Sequence, residues 1–443
     1  MIGLVLGELR SRPGLWVWTL VSLAVASACI TGLLVSLDTA KAAAVGNAEM
    51  TEGLNVLGAN VVVGTVLAAM AVVGTTTGLT LATQAREHAL WLVLGVPRRS
   101  VQAVLLGQLI LVGFVGWLIG LPGGAIVARL SLGQWSALGL ADPALRSNLT
   151  WPPPVMALVL VLVASIAGGW GATRRAARVP EMAALRDADQ PAARVGWARV
   201  LGALFLLVLA GVIFGAVFSG PLIGPEERAA GVLSANLLIV IAMLMIGGWT
   251  LRPLLWAWTA AIPVTDPAWF VAREACRTRS ARSITTVLPF AMALSLLGVL
   301  LGAGNVFGAG AVSLQEVLVL IGWVLLMSWV GGVAVIALAG RERERDTALL
   351  IVAGARRAVV ARAAAYEALI YALTAVLFGA VVTIFTVLTV AEAANIPAGS
   401  ALMAAPWGLL GLVAGLTLLT TGAAVAPSIV RAHTTPVTET LRA

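Results

Sequence analysis

Ten apolar runs, each near or above the roughly 20 residues a helix needs to cross a hydrocarbon core, restrict this chain to one class of fold. They occupy residues 14–37, 54–83, 101–128, 152–172, 200–218, 231–258, 284–304, 314–339, 364–390 and 407–428. None shows the in–out alternation of a membrane barrel strand. Only 11% of the residues are charged, against about 25% in a soluble globular chain. The expected fold is therefore an all-α polytopic membrane protein with about ten transmembrane helices.

Placing the charges orients the spans. With the N-terminus inside, the inner segments hold 24 arginines and 12 carboxylates, whereas the outer ones hold Lys41, Arg129, Arg146 and Arg228 with 8 carboxylates. That asymmetry follows the positive-inside rule, and one missed span would invert everything after it. The reading predicts a multi-pass protein of the cell membrane with both termini in the cytoplasm. The net charge of +8 is accounted for by topology, so no nucleic-acid partner is expected. Segment 261–283 reads as an amphipathic helix on the inner surface, and 129–140 leaves room for a re-entrant or interfacial helix.

One inner segment occurs twice. Arg86 to Val101 reads REHALWLVLGVPRRSV and Arg345 to Val360 reads RDTALLIVAGARRAVV. A constant offset pairs Arg86 with Arg345, Glu87 with Asp346, Leu90 with Leu349, Trp91 with Leu350, Gly95 with Gly354 and Arg98 with Arg357. It also pairs Gln108 with Glu367. Arg10 and Arg12 before the first span match Arg277 and Arg279 before the seventh. The tails after spans four and ten match at Arg175/Arg431, Pro180/Pro436 and the Leu–Arg endings. Spans 1–4 and 7–10 therefore form two four-helix units, residues 1–190 and 263–443, with two linking helices in 191–262. An even number of linking spans makes this a parallel repeat, not an inverted one.

Each repeated segment predicts a helix, a tight turn and a second helix. Gly95 and Gly354 suit a left-handed cap after the first helix, and Pro97 suits the first turn of the next. Leu90, Trp91 and Val93 beside the arginines suit insertion into a cleft on a soluble partner. Over segments 84–100 and 340–357 the expected docking residues are thus Arg86, Glu87, Leu90, Trp91, Gly95 and Arg98 in one copy and Arg345, Asp346, Leu349, Leu350, Gly354 and Arg357 in the other. The bland alternative is a helical hairpin that merely carries topological charge.

Other chemistry is sparse. A phosphate-binding Walker loop needs a lysine, and the sole lysine, Lys41, stands in an Ala-rich outer segment without the glycine pattern. No catalytic residue, cofactor or metal site is expected in this chain; His88 and His433 lack metal-ligand spacing. Cys29 and Cys276 lie in different compartments and predict no disulfide. Gln108 and Glu367 are possible transport or packing positions, Glu367 also serving as a candidate interfacial partner for Arg362 or for cytoplasmic arginines. Gly74 to Gly78, with Thr75 to Thr77, predicts close helix packing.

The Arg–acid pair, apolar stretch, glycine and basic helix start leading into a span resemble the FtsX-like permease domain of MacB-type (type VII) ABC transporters. The 4+2+4 layout is similar to that of Bce-type permeases. The resemblance covers both four-helix units. It departs from that pattern on the outside, where the loops after spans 1 and 7 are too short for an extracytoplasmic domain. It implies a cytoplasmic ABC ATPase, in two copies, carrying ATP and Mg and docking on the two hairpins. The implied activity is ATP-driven export of an amphipathic or lipophilic substrate, such as a drug, antimicrobial peptide or lipid, from surrounding membrane lipids. Alternatives are a force-transmitting regulator of an envelope protein and an ion-gradient-driven secondary transporter.

Overall fold

The computed structural model describes residues 13–44, 48–137, 141–142, 144–147, 150–176, 197–219, 224–306, 314–405 and 407–434. Every regular element among them is a helix: α1 (Pro13–Ala43), α2 (Ala48–Thr83), α3 (Ala85–Val93), α4 (Arg98–Ala137), α5 (Pro152–Ala176), α6 (Trp197–Ser219), α7 (Pro225–Met245), α8 (Gly247–Ala261), α9 (Pro267–Thr278), α10 (Ser280–Val306), α11 (Leu314–Val352), α12 (Arg357–Ala393), α13 (Ala398–Ala404) and α14 (Trp407–Thr434). Ten of them, α1, α2, α4–α7, α10–α12 and α14, are long and apolar enough to cross a membrane; nine of the expected spans each fall on one of these helices, and the sixth begins on α7. Helices satisfy their own backbone donors and acceptors, which a hydrocarbon solvent requires. The protein is an all-α polytopic membrane protein. The flanking landmarks Arg10, Arg12, Pro180, Pro436 and the Leu–Arg tails lie outside the described residues.

Three local expectations change. The sixth span, read as 231–258, is two helices that meet at Ile246, whose φ of −99° and ψ of 29° leave the helical range just before the Gly247–Gly248 pair. No separate helix forms at 129–137, because α4 continues unbroken to Ala137 with Trp135 fully buried. At 40 residues α4 is about 60 Å long, twice the hydrocarbon thickness. The outer stretch expected at 38–53 is mostly helical, since α1 runs to Ala43 and α2 starts at Ala48.

The chain divides into two compact units, Met1–Asp189 with Leu318–Leu338 and Gln190–Val317 with Ala339–Ala443. In the first, α1 and α4 meet along small residues. A Cβ added at Gly116 would lie 2.8 Å from that of Leu23, one at Gly124 would lie 3.0 Å from Thr31 Cβ, and one at Gly120 would run into the Ala24 carbonyl. Such close approach is what membrane helices use for packing where lipid removes the hydrophobic drive between them. Helices α2 and α5 cross in the same way at Gly74, where an added Cβ would lie 2.9 Å from the Gly168 carbonyl oxygen, whereas Gly78 faces open space. The Trp117 indole donates to Pro154 O at 3.0 Å and ties α4 to α5. The Leu318–Leu338 stretch of α11 packs on α2, with Gly331 against Val72 and Val324 3.4 Å from a Cβ at Gly64.

In the second unit α10 and α12 repeat the pattern. A Cβ added at Gly379 would lie 2.8 Å from Leu294 Cβ, one at Gly302 would lie 3.2 Å from Val387, and one at Gly298 would run into Thr383. The offset relating the two repeated segments carries Gly120 onto Gly379. Val217, Val232, Val387, Val390 and Ala401 form a core joining α6, α7, α12 and α13, and Asn236 donates to Thr389 Oγ1 at 2.9 Å.

The amphipathic helix expected over 261–283 forms as α9. Its apolar face is not spread on lipid: Ala268, Trp269, Ala272 and Cys276 are buried against protein. Trp269 stands edge-on to Tyr366 with ring centroids 5.6 Å apart, and 6.2 Å from Trp258. The Trp258 indole in turn donates to Thr374 Oγ1 at 3.0 Å. Cys29 and Cys276 are both buried and form no disulfide.

Candidate functional site

The two repeated segments fold into the same turn. Gly95 has a φ of +87° and Gly354 a φ of +95°, the left-handed region that an L side chain rarely occupies. In the first copy Gly95 N–H donates to Leu92 O and Val96 N–H to Trp91 O, both at 3.0 Å. In the second, Gly354 N–H donates to Ile351 O at 3.0 Å and Ala355 N–H to Leu350 O at 2.9 Å. This is the Schellman arrangement, which satisfies the last carbonyls of a helix. The next helix starts equivalently, Ser100 N–H donating to Pro97 O at 2.8 Å and Val359 N–H to Arg356 O at 2.9 Å. Pro97 therefore caps the helix from just outside, one place earlier than expected. Arg356 fills that position equally well, because only its backbone carbonyl is used.

What each turn presents can be read from exposure. Leu94 is 81% exposed, with Leu90 and Val93 also open; in the second copy Val352 is 63% exposed and Leu350 is open. Arg98, Arg99, Arg356 and Arg357 are exposed beside them. Each hairpin thus displays an apolar tip bordered by guanidiniums. Trp91 is turned inward instead, packing with Leu92 and Val101 on the core of the first unit. The side chains of Arg86, Glu87, Arg345, Asp346 and Leu349 lie outside the described residues. Sequence reasoning passed over Leu94 and Val352, although a helix's final residues before a left-handed glycine have few neighbours to cover them.

The helices entering the turns differ. Span two is interrupted at Gln84, where φ is −100° and ψ is 5°, so α3 is a separate nine-residue helix. In the second copy α11 runs without a break for 39 residues to Val352. The helices leaving the turns differ too. Asp266 caps α9 by accepting from Ala268 N–H at 3.0 Å through Oδ1. Its Oδ2 accepts from Arg362 Nη1 and from Tyr366 Oη, each at 3.2 Å. The start of α12 is thereby tied to α9. Arg362 has the Asp266 carboxylate as an ion-pair partner. At the matching positions of α4 stand Ala103 and Gly107, which can form neither bond.

Helix α9 is held at its other end by Arg277. Its Nη2 donates to Trp256 O and Thr259 Oγ1, both at 3.0 Å, and its guanidinium lies 4.8 Å from the Trp256 ring centroid. Burial and the neighbouring Arg273 charge lower the Arg277 pKa, offset in part by Glu274. Gln108 is fully buried in α4, whereas Glu367, its counterpart on α12, is half-buried. Among the described residues no His, Cys, Asp and Glu cluster has the spacing of a metal site.

Residues 60–180 match the family model described as the FtsX-like permease C-terminal domain. The match runs from α2 through α5 and contains the first hairpin. A search of curated proteins returned no match.

Proposed function

Starting from an FtsX-like permease domain over residues 60–180, we propose that this chain is the permease subunit of an ABC transporter, with two hairpins that dock on a separate ATPase. The duplicated turn carries the proposal. Two segments far apart in the chain adopt the same left-handed glycine geometry, and each ends in an exposed apolar tip beside exposed arginines. A turn of that shape has no role in crossing a membrane, and exposed apolar clusters favour a protein partner. Two docking sites suit two ATPase subunits, which supply the ATP and Mg chemistry for which this chain lacks a Walker lysine. Residues 1–190 and 263–443 are then the two permease repeats, with 191–262 linking them and both termini cytoplasmic.

ATP-driven closure of the ATPase pair moves the hairpins, and the movement passes into α3 and α2 on one side and α11 on the other. An apolar bundle with few ionisable groups at membrane depth favours export of an amphipathic or lipophilic substrate over proton-coupled transport. The test is co-purification of this chain with a co-expressed ABC ATPase. Leu94→Asp combined with Val352→Asp is expected to abolish the complex, each single change weakening it at least tenfold, while the permease still elutes as a monodisperse species. Full-strength association of the double variant contradicts the docking reading.

A further inference from the structure

The corner between α8 and α9 carries a group of residues that the docking reading does not use. Arg252 and Trp256 stand four positions apart on α8, and Arg273 and Arg277 stand four apart on α9. Each pair therefore shares one helix face. The cation–π contact of Arg277 with Trp256 joins the two faces. Arg252 is exposed, as are Trp249 and Trp256. The corner follows the span ending at Met245 and precedes the one starting at Ser283. The Asp266–Arg362 pair sets it at the same end of the second unit as the start of α12.

The electrostatics of this corner are one-sided. Arg273 and Arg277 are close enough for the charge of one to lower the pKa of the other, and among the described residues neither Arg252 nor Arg273 has a carboxylate partner. The Asp266 carboxylate is engaged with Arg362 and Tyr366, and Glu274 is the acid whose charge acts on Arg277. Juxtamembrane guanidiniums flanked by interfacial tryptophans match a lipid in which a negative phosphate sits directly above acyl chains. The arginines supply charge-assisted donors to the phosphate, and the exposed faces of Trp249 and Trp256 lie along the upper acyl chain. We propose that the α8–α9 corner is a binding site for the headgroup of an anionic phospholipid. It is separate from the hairpin tips.

The test uses the full chain in nanodiscs of phosphatidylcholine with a minor share of phosphatidylglycerol, with native mass spectrometry counting the lipids retained on release. Wild type is expected to keep phosphatidylglycerol over phosphatidylcholine, and Arg252→Gln with Arg273→Gln to lower that preference at least fivefold. Arg277 is left intact in this variant because its bonds to Trp256 and Thr259 hold α9. Arg98→Gln with Arg99→Gln removes the same charge at the first hairpin and is expected to keep the preference. Should the corner variant fold poorly, Trp256→Leu alone is measured, with a smaller loss expected. Unchanged retention in both corner variants overturns the proposal, as does an equal loss in the hairpin variant, which would mean diffuse attraction. Displacement by excess inorganic phosphate also overturns it, since the site would then take a free anion. ATPase association is expected to be unaffected by the corner variants, so this proposal and the docking reading fail separately.

Discussion

The two hairpins share a turn and differ in how it is mounted. Gly95 and Gly354 adopt nearly the same φ and donate in the same pattern of backbone bonds, so the shape of the turn is duplicated. The first hairpin enters through a helix broken at Gln84 and leaves through α4, where Ala103 and Gly107 offer no polar side chain. The second enters on a continuous α11 and leaves through α12, where Arg362 and Tyr366 hold Asp266 at the head of α9. A backbone-defined turn tolerates almost any neighbouring side chains, which lets its surroundings diverge while its geometry persists. On the docking reading, like turns on unequal mounts predict two sites of similar affinity that transmit movement differently.

The largest expected effect lies where the helices leaving the hairpins cross their neighbours. Gly120→Val drives a side chain into the Ala24 carbonyl and Ser27, backbone and side chain of α1. Its cost should sit at or above the upper end of the roughly 1–3 kcal/mol range for overpacking. The matching Gly379→Val meets chiefly the Leu294 side chain, and should be milder. Thermal unfolding in detergent checks both; a larger drop in Tm for Gly379→Val would break the equivalence of these crossings.

The turns themselves give a middle-sized test. Gly95→Ala and Gly354→Ala find open space around the new methyl group, so only left-handed strain remains, about 1–2 kcal/mol at each. Equal losses of stability are expected, and ATPase binding should weaken alike. Effects differing by more than about 1 kcal/mol would show that the mounts reach into the turns. The smallest effect belongs to the joint present in one half alone. Asp266→Asn removes an ion pair in which Arg362 is 56% exposed, so solvent screening limits its cost to about 1 kcal/mol or less. Hydrogen exchange should nevertheless rise at the start of α12 and in α9, and stay constant in α4. Unchanged exchange in α9 would remove the joint from the comparison.

Much of the candidate site was legible before any coordinates. Left-handed caps follow from local chemistry, because a glycine ending an apolar helical stretch offers a conformation other residues resist. The mounts were not legible. Asp266 reaches Arg362 from another element, a pairing that no local sequence pattern marks. Trp91 read as an outward anchor, yet a helix placed against the core turns that position inward.

The chain's own residues determined ten helices long and apolar enough to span a membrane, where most of them begin and end, and that the two repeated turns are alike. Hydropathy and backbone chemistry act over short stretches, so a one-dimensional pattern is enough to reveal them. Only the tertiary structure decided which helices meet: α1 with α4 and α10 with α12 along glycine faces, the middle of α11 with α2, and α9 laid on α8 and α12 instead of lipid. In a membrane, lipid-facing and protein-facing surfaces are both apolar, so periodicity loses the signal that marks a soluble core. Among 47 glycines, sequence alone does not single out those that face a neighbouring backbone.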